Sequence, residues 1–230
     1  MVERVLQGQP DIALTLRRSA RARRVTLRVS QLDGRVTLTL PKGVTETAAL
    51  DFAQQKAPWI RKHLADRVPQ SVVGLGCAIP VGGALHTIVS GTGRAVRLDA
   101  GALIVPGAQA AIPRRALGFL KATARDRLAA ASDHYAARLG RPYSGISIRD
   151  TRSRWGSCSG TGRLMYSWRL ILAPPEVLDY VVAHEVAHLA QMNHSPAFWA
   201  EVARLFGPYQ AQRRWLRTQG GDLHRYRFGD

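Results

Sequence analysis

The chain is poor in cysteine, poor in lysine and without any long apolar run. Cys77 and Cys158 are its two cysteines in 230 residues. That is too few for a disulfide-dense secreted scaffold, so a reducing, cytoplasmic setting is expected. No stretch approaches the roughly 20 apolar residues that span a bilayer. Met1 to Pro10 carries Glu3 and Arg4 in place of the apolar core of a signal peptide. A soluble protein with no membrane partner is therefore expected. Lysine supplies four of the 33 basic residues, at Lys42, Lys56, Lys62 and Lys121, and arginine supplies the rest. Against 16 acids this leaves a net charge of +17. A field of that sign attracts polyanions and anionic substrates, although an arginine-rich composition yields the same balance without any partner. Hydrophobic residues make up 46% of the chain, enough for one sizeable core or two smaller lobes.

The first half reads as β-rich. Residues 12–17 and 24–40 alternate as strands, and Asp33-Gly34 between the apolar runs is a hairpin signal. Thr45 can cap a helix from Glu46 to Asp66, with Pro58 breaking it near Ala57. Short strands separated by glycines fill 72–105. Pro106-Gly107 is the expected lobe boundary, giving a β-rich lobe over 1–106 and an α+β lobe over 107–230. In the second lobe, 113–139 reads as a long helix stopped by Gly140. Ile146–Ile148 and 163–172 read as strands. Pro174-Pro175 opens a helix to about Met192, and Ser195-Pro196 opens a last one over 196–217. The fold class is α+β.

The informative segment is His184-Glu185-Val186-Ala187-His188. Two histidines four apart lie one turn apart on one helix face, so both imidazoles can reach one ion. Glu185 projects at an adjacent angle, free to act as a base toward water. In a chain of this composition the pattern is expected by chance about 0.005 times. An open catalytic zinc site takes three protein ligands. His194, in the turn before the Ser195 cap, ranks first for the third; Glu201 on the next helix ranks second. His63 and His134 lie in other elements. Cys158 reads as a small buried hydrophobe, because a fourth protein ligand would close the site.

Several motifs in order carry a resemblance: Arg154-Trp155-Gly156-Ser157-Cys158, Trp168-Arg169-Leu170-Ile171, Asp179-Tyr180-Val181-Val182, His184-Glu185, His188-Leu189, Asn193-His194-Ser195, Phe198-Trp199 and Trp215-Leu216. Over about 141–217 the chain resembles the YgjP-like metallohydrolases, relatives of the SprT-like and WLM zinc peptidases. A looser likeness extends into the first half through Arg17-Arg18-Ser19-Ala20-Arg21, Leu38–Pro41 and Trp59-Ile60. Ser167 departs from the pattern, which has asparagine there. The resemblance implies a zincin-like lobe, zinc held by His184, His188 and His194, and Glu185 as general base. It implies a metallopeptidase first. It also leaves a nucleoside triphosphate (UTP) pyrophosphatase on the same metal site as an alternative.

Arg152, Arg154 and Arg169 are candidate substrate-binding residues, since guanidinium suits carboxylate and phosphate alike. A buried pair with Asp150 or Asp179 explains them equally well. Arg154, Tyr166 and Tyr180 are the candidate oxyanion donors. Trp155, Trp168, Trp199 and Trp215 read as core. Arg17, Arg18, Arg21, Arg23, Arg24 and Arg28 form a basic stripe that could give weak, non-specific nucleic-acid binding or simply a solvated sheet face. A nucleic-acid-binding module with structural zinc is the reading from another class. It leaves Glu185 without a duty.

Overall fold

The computed structural model describes residues 2–30, 33–66 and 69–229. The chain divides at Pro69 into two units, each with a core of its own. In the first, β1 (Val2–Leu6), β2 (Ile12–Arg18), β3 (Thr26–Val29) and β4 (Val36–Leu40) form one sheet in the order β1-β2-β4-β3. The pair β3–β4 is antiparallel, with Val29 opposite Val36, as the Asp33-Gly34 signal requires; residues 31–32 lie outside the described residues. The two-residue alternation sends Leu14, Leu16, Val36, Leu38 and Leu40 to one buried face. The helices α1 (Glu46–Gln55) and α2 (Ala57–Ala65) bring Ala49, Ala53, Ala57 and Ile60 into the same core. Thr45 caps α1, its Oγ1 accepting from the Ala48 N–H at 3.3 Å. The break falls at Lys56, so Pro58 sits in the first turn of α2, where it removes no helical hydrogen bond.

The second unit begins with β5 (Ser71–Val72), β6 (Ala78–Val81), β7 (Ala84–Gly91), β8 (Arg97–Asp99) and β9 (Ala102–Pro106). Four of these form a sheet in the order β6-β7-β9-β8. Here the boundary expected at Pro106-Gly107 is corrected. Ile79, Val81, Ile88, Leu103 and Val105 share one continuous core with α3 (Ile112–Leu139) and everything after it. A four-stranded sheet with one apolar face needs a cover, and here the following chain supplies it. The join is close: the Gly82 N–H donates to the Ile171 carbonyl at 2.8 Å, and a side-chain carbon at Gly83 would lie 3.0 Å from the Pro174 backbone.

After α3, closed by Gly140 at φ 74°, come β10 (Gly145–Arg149), β11 (Gly156–Cys158) and β12 (Arg163–Ser167) in the order β10-β12-β11. The strand expected over 163–172 stops at Ser167 and continues as a buried 3-10 turn, Trp168–Leu172. Then α4 (Pro175–Ala187) ends five residues short of the Met192 expected for it. The single helix expected over 196–217 is two, α5 (Pro196–Phe206) and α6 (Gln210–Thr218), broken by Gly207-Pro208. Finally β13 (Tyr226–Arg227) pairs with β5. The architecture is α+β, and no helix among the described residues is long and apolar enough to cross a membrane.

Candidate metal centre

Helix α4 is buried on nearly all sides, so its polar residues stand in an apolar setting. His184 lies in its last turn, and His188, one turn further, is its C-cap residue. The chain then reverses through a turn fixed by two caps. Asn193 Oδ1 accepts from the Ser195 N–H at 3.2 Å, and Ser195 Oγ accepts from the Phe198 N–H at 3.4 Å. This turn carries His194 back, and one ligand atom from each of the three histidines falls within 4.8 Å of the others. His184 Nε2 and His194 Nε2 face each other at 3.2 Å. His188 Nδ1 lies 3.0 Å from the Gln191 carbonyl, which leaves Nε2 for the cluster. Phe198 packs against all three rings, at 4.9, 4.4 and 4.8 Å between centroids.

Burial, reinforced by His188 and His194, pushes His184 down to about 3, and burial also lowers His188. Burial thus favours the neutral form of His184 and His188, whose ring nitrogens can offer lone pairs toward the point that the His194 ring also faces. That three-donor set fits a borderline cation such as Zn2+, whose fourth position would be left to a non-protein ligand.

Glu185 is 6% exposed and has no hydrogen-bond partner among the described residues. Burial pushes it up to about 8, while Arg154 draws it the other way. It is pressed against β11: a side-chain carbon at Gly156 would stand 2.6 Å from both Glu185 Cγ and Oε1. Strand β11 is a sheet edge, paired with β12 alone. Trp155 accepts from Ser167, and Ser159 donates to Arg163. The ladder alternation therefore turns the N–H and C=O of Gly156 and Cys158 toward the open side.

The arginine candidates separate. Arg154 is exposed and close enough to Glu185 to bias it. Arg152 acts instead on His224. Of the two readings of Arg169, its contacts match the buried pair with Asp150. The arginine is buried, gives two hydrogen bonds to Asp150 at 2.7 and 3.1 Å, and donates to the Leu223 and Tyr226 carbonyls at 2.9 and 3.2 Å. Four of its five donors are thus used. Tyr166 is buried against Ser132 at 3.2 Å, and Tyr180 packs edge-on to His184 at 6.0 Å. Glu201 pairs with Arg204 at 2.9 Å, and the Cys158 thiol faces the Ser159 carbonyl; neither joins the histidine cluster. His63 and His134 lie on α2 and α3, His63 beside Trp59 and His134 beside Tyr135.

The basic stripe also separates: Arg17 and Arg28 point to the open sheet face, whereas Arg18 donates to the Val44 carbonyl at 3.0 Å.

Sequence reasoning missed three residues. Gly156 makes room for Glu185. Trp199, expected in the core, is half-buried and lies 5.6 and 5.7 Å from the His184 and His194 rings. Arg213 stacks on Trp199 at 4.7 Å. The spacing of Ser195, Phe198 and Trp199 along α5 was the available signal for Trp199; the other two depend on long-range packing.

Comparison with known proteins adds an independent line. A family model described as YgjP-like, metallopeptidase domain, matches residues 23–219. Among solved structures, the crystal structure of the metallopeptidase zymogen of Pyrococcus abyssi abylysin is similar at 24% identity and a TM-score of 0.36, over 40% of this chain and 95% of that one. A search of curated proteins finds no match. No comparison points to a nucleic-acid partner. With most of its length matched by that family model, the chain belongs to the YgjP-like family and carries its metallopeptidase domain.

Proposed function

We propose that the protein is a zinc-dependent metallopeptidase in which His184, His188 and His194 hold the ion and Glu185 is the general base. The observation that carries this reading is the convergence of the three imidazoles beside a buried, unpartnered carboxylate. Zinc held there would supply Lewis acidity toward a carbonyl oxygen and toward water. Glu185 takes a proton from the attacking water at a carboxylate oxygen as the new C–O bond forms. It returns that proton to the amine nitrogen as the C–N bond breaks. The open edge of β11 offers the backbone groups of Gly156 and Cys158 to an extended peptide, which holds the scissile bond near Glu185. Arg154 stands by for the developing charge on the carbonyl oxygen.

The test incubates zinc-loaded protein with a denatured protein mixture and, separately, with a nucleotide panel. Peptide cleavage is expected. Glu185→Gln should keep its metal and lose about 10²–10⁴-fold in rate, whereas His184→Ala and His188→Ala should lose the zinc. Nucleotide hydrolysis without peptide cleavage would transfer the site to the pyrophosphatase reading. A metal-free Glu185→Gln protein would overturn the division of roles.

A further inference from the structure

We infer that Arg213 is an anion-recognising subsite beside the metal centre, and that the peptides this centre accepts carry a carboxylate close to the bond that is cut. The inference rests on the peptidase reading above.

The Gly207-Pro208 break turns α6 back so that Tyr209 stacks on Trp199 at 5.2 Å and 19° between planes. Arg213, one turn further, lays its guanidinium over Trp199 at 4.7 Å. Trp199 in turn is in ring contact with His184 and His194. One indole is therefore in contact with both this cation and two of the three imidazoles. The side chain is exposed, and its N–H groups meet no protein acceptor among the described residues. That sets it apart from Arg127, Arg169 and Arg204, which are paired with Asp179, Asp150 and Glu201.

No acid on α6 can neutralise it, since Gln210–Thr218 contains none, and Glu201 on α5 is already engaged. Stacking on an aromatic face fixes the plane of a guanidinium and leaves its edge donors free. That is the arrangement that receives a carboxylate through two parallel hydrogen bonds. Arg154 adds a second unpaired cation on the Glu185 side, and the net charge of +17 favours acidic polypeptides over basic ones at encounter. The carboxylate can belong to an Asp or Glu side chain or to the free C-terminus of the substrate.

The experiment measures calorimetric binding to zinc-loaded Glu185→Gln protein. It uses three N-acetylated peptides alike except for one group. The first has a glutamate, scanned through successive positions, and an amidated C-terminus. The second has glutamine and an amide. The third has glutamine and a free C-terminal carboxylate. One carboxylate-bearing peptide should bind about tenfold tighter than the all-amide peptide, the scale of a charge-assisted hydrogen bond. Whether it is the first or the third identifies the source. Arg213→Gln should bring the ratio to about one, and Arg213→Lys should retain part of it. An unchanged near-ultraviolet dichroism spectrum shows that the Trp199 stack survives each substitution. Equal affinities in the parent protein, no binding of any peptide, or a ratio unmoved by Arg213→Gln would overturn the inference. Cleavage of the same peptides by the wild-type enzyme is read separately. Preferential binding without cleavage sinks the peptidase reading alone, and cleavage without preference sinks the subsite alone.

Discussion

The two units differ in what they bury. Below residue 70 the buried side chains among the described residues are hydrocarbon: Leu6, Ile12, Leu14, Leu38, Ile60 and their neighbours. Above it the interior also takes in Ser132, Ser167, Arg169, Glu185 and His188. Three of these five are answered by the protein. Ser132 donates to the Leu128 carbonyl at 2.7 Å, Ser167 accepts from the Arg169 N–H, and Arg169 has Asp150 and two carbonyls. Glu185 is unanswered, and His188 has one ring nitrogen left over. A buried polar group costs free energy unless something meets it. The leftover groups on α4 therefore mark where a ligand belongs, whereas the answered ones are architecture. The first unit has nothing of the kind among its described residues.

Breaking the unanswered side of that contrast should have the largest effect. Gly156→Ala adds one carbon 2.6 Å from Glu185 Cγ and Oε1, and the neighbour is a side chain held by a packed helix. The backbone at Gly156 is not in the left-handed region, so the strand itself tolerates alanine. Glu185 must move instead. Misplacing a catalytic group by about 1 Å costs on the order of 10²-fold. A fall of that size in turnover is expected, with zinc content unchanged by metal analysis. Full activity in Gly156→Ala would mean that Glu185 has slack the packing does not suggest.

The answered side should respond in stability and not in chemistry. Arg169→Met leaves the Leu223 and Tyr226 carbonyls without their donor, at a cost of about 2 kcal/mol, read as a lower urea midpoint. Zinc content and turnover per folded molecule should hold. The pair also fixes a pH dependence. Burial raises Asp150, but the hydrogen bonds and charge of Arg169 outweigh it and leave the carboxyl below its usual value. A depressed carboxyl contributes stability above the unfolded-state value of roughly 4. That contribution is lost as pH falls through the folded value. The gap between wild type and Arg169→Met should narrow under acid. Loss of turnover at intact stability would return Arg169 to the substrate.

Much of the fold and of the metal centre is legible in the sequence, for reasons of range. The His184–His188 spacing is local and follows from helical geometry alone. The return of His194 is nearly so, because the Ser195 cap and Pro196 fix where the next helix starts. The break at Lys56 and the stop at Gly140 likewise follow from single residues. The boundary at Pro106-Gly107 misleads because a turn signal says nothing about which core covers the preceding sheet. The stretch 163–172 is buried almost throughout, and burial on all sides erases the alternation that separates a strand from a 3-10 turn. Arg169 could not be resolved because a buried ion pair and a substrate ligand require the same residue types. Gly156 and Arg213 depend on the register of β11 against β12 and on the angle of α6, which no local pattern encodes.

The smallest effect is expected in the first unit. Arg17 and Arg28 lie on the sheet face away from the helices, opposite Thr39 and Thr37 across the strands, and neither has an acid partner among the described residues. Both are exposed, and a surface substitution of this kind stays within about 0.5 kcal/mol. With a net charge of +17, removing two cations relieves repulsion. Arg17→Gln with Arg28→Gln should therefore raise the urea midpoint slightly at low salt. At high salt, where exposed charges are screened, the gain should vanish. Zinc content and turnover should not change. A labelled oligonucleotide titrated across a salt series reads the same pair for binding to phosphate. Each phosphate that an arginine no longer neutralises takes about 0.9 from the slope of log affinity against log salt, so two arginines can alter it by no more than about two. A slope change of that full size would show that the open face neutralises phosphates, and the first unit would then have a ligand of its own. An unchanged slope leaves its arginines solvated and the contrast between the units intact.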